Sequence, residues 1–285
     1  MGLRLIATDI DGTLIRSDHC ISPRTRAAFR AAMAAGIESV AISGRQPYSI
    51  GAVVAGSPLD GPVIGSNGAV SVDLLTREVI FEELIDVDAQ RQMAFGLMEA
   101  FPGVKVVSVR DAGNDYVAQH GYSGEHPGSE TALWSVTHSF AHLDEVLAEP
   151  SVKLVLHDAG VDPEVMLKVA QGLGVAGCHP TTSGASFLEV GRAGVSKASA
   201  LARFCAARGI AASEVVAFGD NNNDVEMLAW AGRGIAMGNA VPAALEAADE
   251  VTLHHNDDGV AVVIERLLEG LDERDSRTGV CVGAA

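Results

Sequence analysis

Four aspartates stand where buried strands should end. Asp9 and Asp11 close the run LRLIATDIDG two residues apart, so an extended chain turns both carboxylates to one side. Asp220 ends a second apolar run, VVAFGD, and Asp224 follows one helical turn later in GDNNND. Aspartate is a poor strand former, and a buried carboxylate without a partner costs several kcal/mol. Like charges at this spacing also repel. Three or four carboxylates converging on one sheet edge therefore call for a divalent cation among them. An all-oxygen donor set suits a hard ion, Mg2+ first.

A metal offsets only the charge. One carboxylate can also act as a nucleophile while its neighbour moves protons. Such chemistry on a phosphate ester needs groups that counter incoming negative charge. Gly12 and Thr13 follow the first pair at once, with backbone N–H groups and a hydroxyl to offer an anion. Ser43-Gly44-Arg45 ends another apolar run with a hydroxyl, exposed N–H groups and a guanidinium, and Lys197 in GVSK begins a helix. Each feature also has a plain structural reading. Asp11-Gly12 is a turn signal, Asp220 and Asp224 fit the start of a helix, Lys197 fits a solvated helix face, and Arg45 fits a surface cap. The combination, in this order, favours chemistry over four separate coincidences.

The elements that must position these residues follow an α/β rhythm. LRLIATDI, SVAISG and PVIGSNGA read as near-continuous apolar strands, with the helix SPRTRAAFRAAMAAG between the first two. That pattern implies a parallel sheet covered on both faces. From about residue 70 to 190 the strands alternate (AVSVD, REVIFEEL, KVVSVRD, DYVAQ, VKLVLHD, SFLEV) among helices, as in an inserted α+β unit with an antiparallel sheet. After Gly191 the βα rhythm returns and ends in the helix DDGVAVVIERLLEGL. The segment DERDSRTGVCVGAA reads as a frayed tail. The aspartates then fall at the carboxyl edge of the parallel strands, where open α/β sheets place ligands.

Several patterns carry no such weight. GLGVAG at Gly172, Gly174 and Gly177 matches a dinucleotide fingerprint, but a helix precedes it where a strand is required. His138 and His142 are spaced for one helix face without a third ligand. Trp134 and Trp230 read as core residues, and Asn67 in GSNGA as a turn residue, with a minor substrate role as the alternative because it falls close to the sheet edge and the hinge.

The 285 residues suffice for about two domains. A net charge of −17 leaves no basic stripe for nucleic acid or an anionic membrane surface. No apolar run reaches the roughly 18 residues of a membrane span, and the N-terminal stretch lacks a secretory pattern. The four cysteines are scattered and form no CxxC, as expected of a reducing compartment. A cytoplasmic enzyme is expected.

DIDGT, AISGR, the GVSK lysine and GDNNND, in that order, resemble the four motifs of the haloacid dehalogenase-like phosphatases. SNGA, GIAMGNA and the position of the insertion look like the Cof-type sugar-phosphatase branch, and the resemblance runs nearly to Leu271. It implies a Rossmann-like, mostly parallel sheet core over residues 1–82 and 191–285, with an inserted α/β (α+β) cap over 83–190. It also implies Mg2+-dependent hydrolysis of a small phosphomonoester, sugar phosphates first, by a monomer or weak homodimer. By resemblance Asp9 is the nucleophile that forms an aspartyl-phosphate and Asp11 the acid–base group. Ser43 would bond the phosphoryl group, and Lys197 would hold Asp9 and the phosphate. Asp9, the Asp11 backbone carbonyl and Asp220 would ligate the ion, with Asp224 acting through water, and Asn223 would lie near the phosphate. Asn221-Asn222 departs from the small residue common after the metal-binding aspartate. A phosphomutase of the same fold and a non-catalytic phosphometabolite-binding protein are the rival expectations. The first needs a second phosphate site that the cap's scattered cations do not suggest. The second would be expected to have lost an aspartate that this chain keeps.

Overall fold

The strand Leu5–Thr8 (β1) is wholly buried, and its four residues pair on both sides with parallel neighbours. The computed structural model describes residues 2–123, 137–182 and 186–278, with side chains through residue 270. In chain order the further strands are β2 (Glu38–Ile42), β3 (Pro62–Gly65), β4 (Val70–Asp73), β5 (Val79–Glu82) and β6 (Lys105–Arg110). Then come β7 (Asp115–Gln119), β8 (Thr137–Ala141), β9 (Lys153–His157), β10 (Cys178–Thr181) and β11 (Leu188–Arg192). The last three are β12 (Val215–Gly219), β13 (Arg233–Ala236) and β14 (Glu250–Val251). The expected α/β class, with a mostly parallel core and a second sheet, is borne out.

The chain divides into two compact units. The first comprises Met1–Ile42, Val53–Pro62 and Leu201–Ala285. Its strands run β14-β13-β12-β1-β2, all parallel, with Leu5 opposite Val215 on one side and Glu38 on the other. Parallel strands need crossover helices. Pro23–Ala34 supplies the one between β1 and β2, and begins cleanly because Ser22 Oγ accepts from Thr25 N while Pro23 presets the first turn. Against it lies the final helix, Gly259–Thr278, held in part by a bidentate Arg24–Glu265 pair at 2.6 and 2.9 Å. That helix passes beyond Leu271 into the expected tail. Residues 272–277 contain neither Gly nor Pro, so nothing in them stops the preceding helix. Trp230 is only half-buried, and Trp134 lies outside the described residues.

The second unit comprises Ser43–Ala52 and Val63–Ala200. It holds β3, β4 and β5 in that order, with β4 and β5 antiparallel and a bulge between Ser71 and Val72. Its six-stranded sheet runs β10-β11-β9-β6-β7-β8. The pairs are antiparallel except β7–β8, which is parallel with Tyr116 opposite His138. Alternation along the strands separates two faces. One face presents Val106, Leu154, Leu156, Leu188 and Val190, which form a core with the helices Val87–Ala100 and Pro163–Leu173. The other presents Val107, Val109, Tyr116, Ala118 and Val155, clustered with Tyr48.

His138 lies in β8, so the condition under which His138 and His142 would share a helix face is not met. His138 stacks on Tyr116 and His142 meets His120 edge-on, each at 5.0 Å. Gly174 ends the helix Pro163–Leu173 in a left-handed conformation, so GLGVAG is a helix stop, as expected. Among the described residues, no helix is long and apolar enough to cross a membrane.

Candidate active site

Pairing carries β1 one residue past its end, because Asp9 N donates to the Phe218 carbonyl at 2.9 Å. The chain then makes a tight turn over Ile10–Leu14, with Gly12 at φ +79°. A Cβ at Gly12 would lie 2.4 Å from Asp220 Oδ2, so both backbone conformation and space require glycine. The same turn brings the Thr13 hydroxyl 2.9 Å from Asp220 Oδ1, to which it donates.

On the neighbouring strand, Asp220 follows β12. Asp224 folds back over this end, its Oδ2 accepting from Asp220 N and Asn221 N at 3.0 Å each. Gly219 permits the approach, since a Cβ there would stand 2.5 Å from Asp224 Cβ. One carboxylate oxygen from each of Asp9, Asp220 and Asp224 lies within 4.8 Å of the others. Asp224 is fully buried, and Asp9 and Asp220 are at most 9% exposed.

At such separations each pair of charges repels by roughly 3.5 kcal/mol or more at an effective dielectric near 20. Two hydrogen bonds to Asp224 and one from Thr13 soften that cost without cancelling three charges. The donor set is all oxygen, anionic and held by backbone and hydroxyl contacts, and it fits a hard divalent cation. The Asp11 carboxylate does not belong to this group, and the residue is exposed. Asn223 is exposed as well, on the short turn Asn222–Asp224.

Ser43, Gly44, Arg45 and Lys197 belong to the second unit. Ser43 is buried; its N–H donates to Ile64 O at 2.9 Å, and its Oγ accepts from Arg45 N at 3.2 Å. Lys197 begins the helix Lys197–Ala206 and is 1% exposed, which excludes the solvated-face reading. Arg45 is half-buried.

Sequence reasoning missed Asn239. Asn239 Nδ2 donates to the Gly12 carbonyl at 2.8 Å and lies 3.4 Å from Asp220 Oδ2, while its Oδ1 accepts from His255 N at 3.0 Å. The His255 ring in turn meets the Ile15 carbonyl at 3.0 Å through Nδ1. Asn239 thus ties the Asp9–Thr13 turn to the far side of the sheet edge. Its signal was the GNA of GIAMGNA, quoted for the resemblance but given no role. Asn67, weighed as a turn residue or a minor substrate contact, donates from its N–H to Ser43 O at 3.0 Å and so braces the Ser43-Gly44 turn.

The sequence profile of the haloacid dehalogenase-like hydrolases matches residues 6–264, nearly the whole described chain. The chain belongs to that family. Among curated relatives, YxeH of Bacillus subtilis, provisionally named a phosphatase, is 31% identical over 276 residues, 93% of this chain and 98% of that protein. YwtE of the same organism, named a 5-amino-6-(5-phospho-D-ribitylamino)uracil phosphatase, is 28% identical over 291 residues, 94% and 99% of the two chains. Among solved structures, that of BT1666 from Bacteroides thetaiotaomicron, titled among phosphatases of the superfamily, aligns with a TM-score of 0.75. It is 26% identical and covers 93% of this chain and 95% of its own. This haloacid dehalogenase-like hydrolase therefore shares fold and length with named phosphatases.

Proposed function

We propose that this hydrolase is a Mg2+-dependent phosphatase of small phosphomonoesters, sugar phosphates first, acting through an aspartyl-phosphate on Asp9. The observation that carries it is the cluster of Asp9, Asp220 and Asp224 carboxylates beside the Gly12-Thr13 turn. The named phosphatases among its relatives support the reaction class, and the ribityl phosphate in the name of YwtE supports a hydroxylated substrate. The catalytic core is residues 1–82 and 191–285, and the cap is 83–190, joined near Glu82–Leu84 and Glu189–Gly191.

Asp9, Asp220, Asp224 and the Asp11 carbonyl would hold Mg2+, which when bound neutralises the carboxylates and the phosphate so that an anionic nucleophile can approach. Asp9 attacks phosphorus, and the bond from phosphorus to the ester oxygen breaks. Asp11 gives that oxygen its proton, then takes one from the water that hydrolyses the acyl phosphate. Ser43, Lys197 and the N–H groups of Gly12, Thr13 and Gly44 hold the phosphoryl oxygens, with Arg45 and Asn223 at its margin. Phosphoryl transfer draws its rate from such positioning and charge stabilisation. The scattered cysteines fit action in the cytoplasm, and no assembly is required for the chemistry.

Phosphate release from p-nitrophenyl phosphate and a phosphosugar panel, with Mg2+ or with EDTA, tests this. Turnover that needs Mg2+ and vanishes in Asp9→Asn supports it. A folded chain that turns over no substrate with Mg2+ refutes it.

A further inference from the structure

The segment after β14 runs along the end of β13. Thr252 N donates to Ala236 O at 2.9 Å and Gly238 N to Leu253 O at 3.0 Å, so His254 and His255 are carried beside Asn239. The approach is close, since a Cβ at Gly238 would stand 2.9 Å from His254 N. A short turn over His255–Asp257 follows, in which His254 Nδ1 accepts from Asn256 N at 3.1 Å. From here side chains reach the exit of the turn that carries Asp9 and Asp11, within the same compact unit.

That exit needs support. Asp11 (φ −82°, ψ 117°) and Gly12 (φ 79°, ψ 1°) leave helical geometry, and Ile15 N closes the turn by donating to Ile10 O at 3.1 Å. Such a turn leaves carbonyls outside any regular ladder, and a buried carbonyl without a donor is costly. The Asn239 amide takes Gly12 O at 2.8 Å, and the His255 ring takes Ile15 O at 3.0 Å. Ile15 is only 2% exposed, so the ring does work that water is badly placed to do. A carbonyl oxygen only accepts, so His255 Nδ1 bears its hydrogen whether the ring is neutral or charged. Two residues on, Asn256 Oδ1 accepts from Ser17 N and Asn256 Nδ2 donates to Ser17 Oγ, both at 2.9 Å.

We infer that His255 is a positioning residue for Asp11: its ring, with Asn256 behind it, fixes the exit of the turn on which the acid–base carboxylate stands. This rests on the phosphatase proposal. The chain is held on both sides of Asp11. The bond from Asp9 N to Phe218 O fixes it before, and the bonds to Gly12 O and Ile15 O fix it after. Asp11 is exposed and stands outside the carboxylate cluster, so the backbone of its turn sets where the side chain reaches. A proton donor displaced by about an ångström loses much of its effect. His255 acts through the Ile15 carbonyl and not on the substrate. A staple that served stability alone would not favour one ester over another, and this separates the two roles.

The test compares phenyl phosphate with p-nitrophenyl phosphate. The two are similar in shape, but p-nitrophenolate leaves without a proton, whereas the more basic phenoxide needs one. The value of kcat/KM covers the steps up to departure of the leaving group, so it isolates the acid step from the later hydrolysis. The ratio of kcat/KM for phenyl phosphate to that for p-nitrophenyl phosphate is expected to fall about tenfold in His255→Ala, in the direction set by Asp11→Asn. His255→Asn, whose Nδ2 can occupy the place of Nδ1, is expected to restore it to within about twofold. An equal fall with both esters marks a structural role alone and overturns the inference. An unchanged ratio, or an asparagine variant no better than alanine, overturns it too. If thermal melts show His255→Ala to be unfolded, Asn256→Ala, whose bonds to Ser17 are exposed, takes its place under the same criteria. Loss of all turnover in the wild type refutes the phosphatase proposal instead.

Discussion

The Thr13 hydroxyl donates to Asp220 Oδ1 at 2.9 Å, joining two strand ends that lie 207 residues apart in the chain. This bond orients one of the three clustered carboxylates. A hydrogen bond to a charged group contributes about 1.5–3 kcal/mol. Thr13→Val keeps the shape and removes the donor. Mg2+ titration of activity should show at least about a tenfold higher half-saturating concentration, and Thr13→Ser should restore most of it. Equal Mg2+ dependence in all three proteins would remove Thr13 from the site's support.

Gly12 faces a harder limit. Alanine would place its Cβ 2.4 Å from Asp220 Oδ2 while holding φ near +79°. The left-handed backbone alone costs roughly 1–2 kcal/mol, and displacement of Asp220 adds a catalytic loss on the order of a hundredfold. Both a lower melting temperature and this loss of kcat are expected. An active, unperturbed Gly12→Ala chain would contradict the geometry of the turn.

Asn239 acts by positioning. Asn239→Ala removes the donor to Gly12 O and the acceptor of His255 N. Asn239→Asp keeps the shape but sets another negative charge beside Asp220. Activity should fall in both variants, by about tenfold in the first. In the aspartate variant, higher Mg2+ should recover part of it. A loss in Asn239→Ala that Mg2+ relieves equally would mean that the amide's role is electrostatic alone.

Burial pushes the Cys205 thiol from its ordinary 9.0 up to about 11. The folded chain therefore holds this proton at pH values where the unfolded chain has lost it. Its contribution to stability is full below pH 9 and is lost as pH rises through about 11. The melting temperature of the wild type should decline more steeply over that window than that of Cys205→Ala. Parallel declines would show that the thiol does not titrate as its burial implies.

Much of the site was legible because its chemistry is local in sequence. Aspartates that end apolar strands announce themselves, and strand order then brings Asp9 and Asp220 together through the β1–β12 pairing. The supports were harder to see. Asn239 and Thr13 act across more than 200 residues, and nothing in either residue's neighbours announces its partner. The inserted unit was legible as alternating strands, but β8 was not. THSFAH has alternating polarity as well as helical histidine spacing, and its pairing with β7 decides between them. Lys153 and Glu189 showed only as ordinary charges within strands. Their partnership depends on β9 and β11 being neighbours, a fact of topology and not of either segment.

The central claim is that Asp9 carries the phosphoryl group. Its most direct test is rapid acid quench of the enzyme during turnover with Mg2+, followed by peptide mass analysis, in the wild type and in Asp11→Asn and Asp9→Asn. The account predicts one phosphoryl group on the peptide containing Asp9. With p-nitrophenyl phosphate, whose leaving group departs without a proton from Asp11, it should accumulate further in Asp11→Asn, whose hydrolytic step lacks its base, and be absent from Asp9→Asn. Phosphate release by Asp9→Asn at the wild-type rate, with no phosphorylated peptide in any of the three proteins, would contradict it.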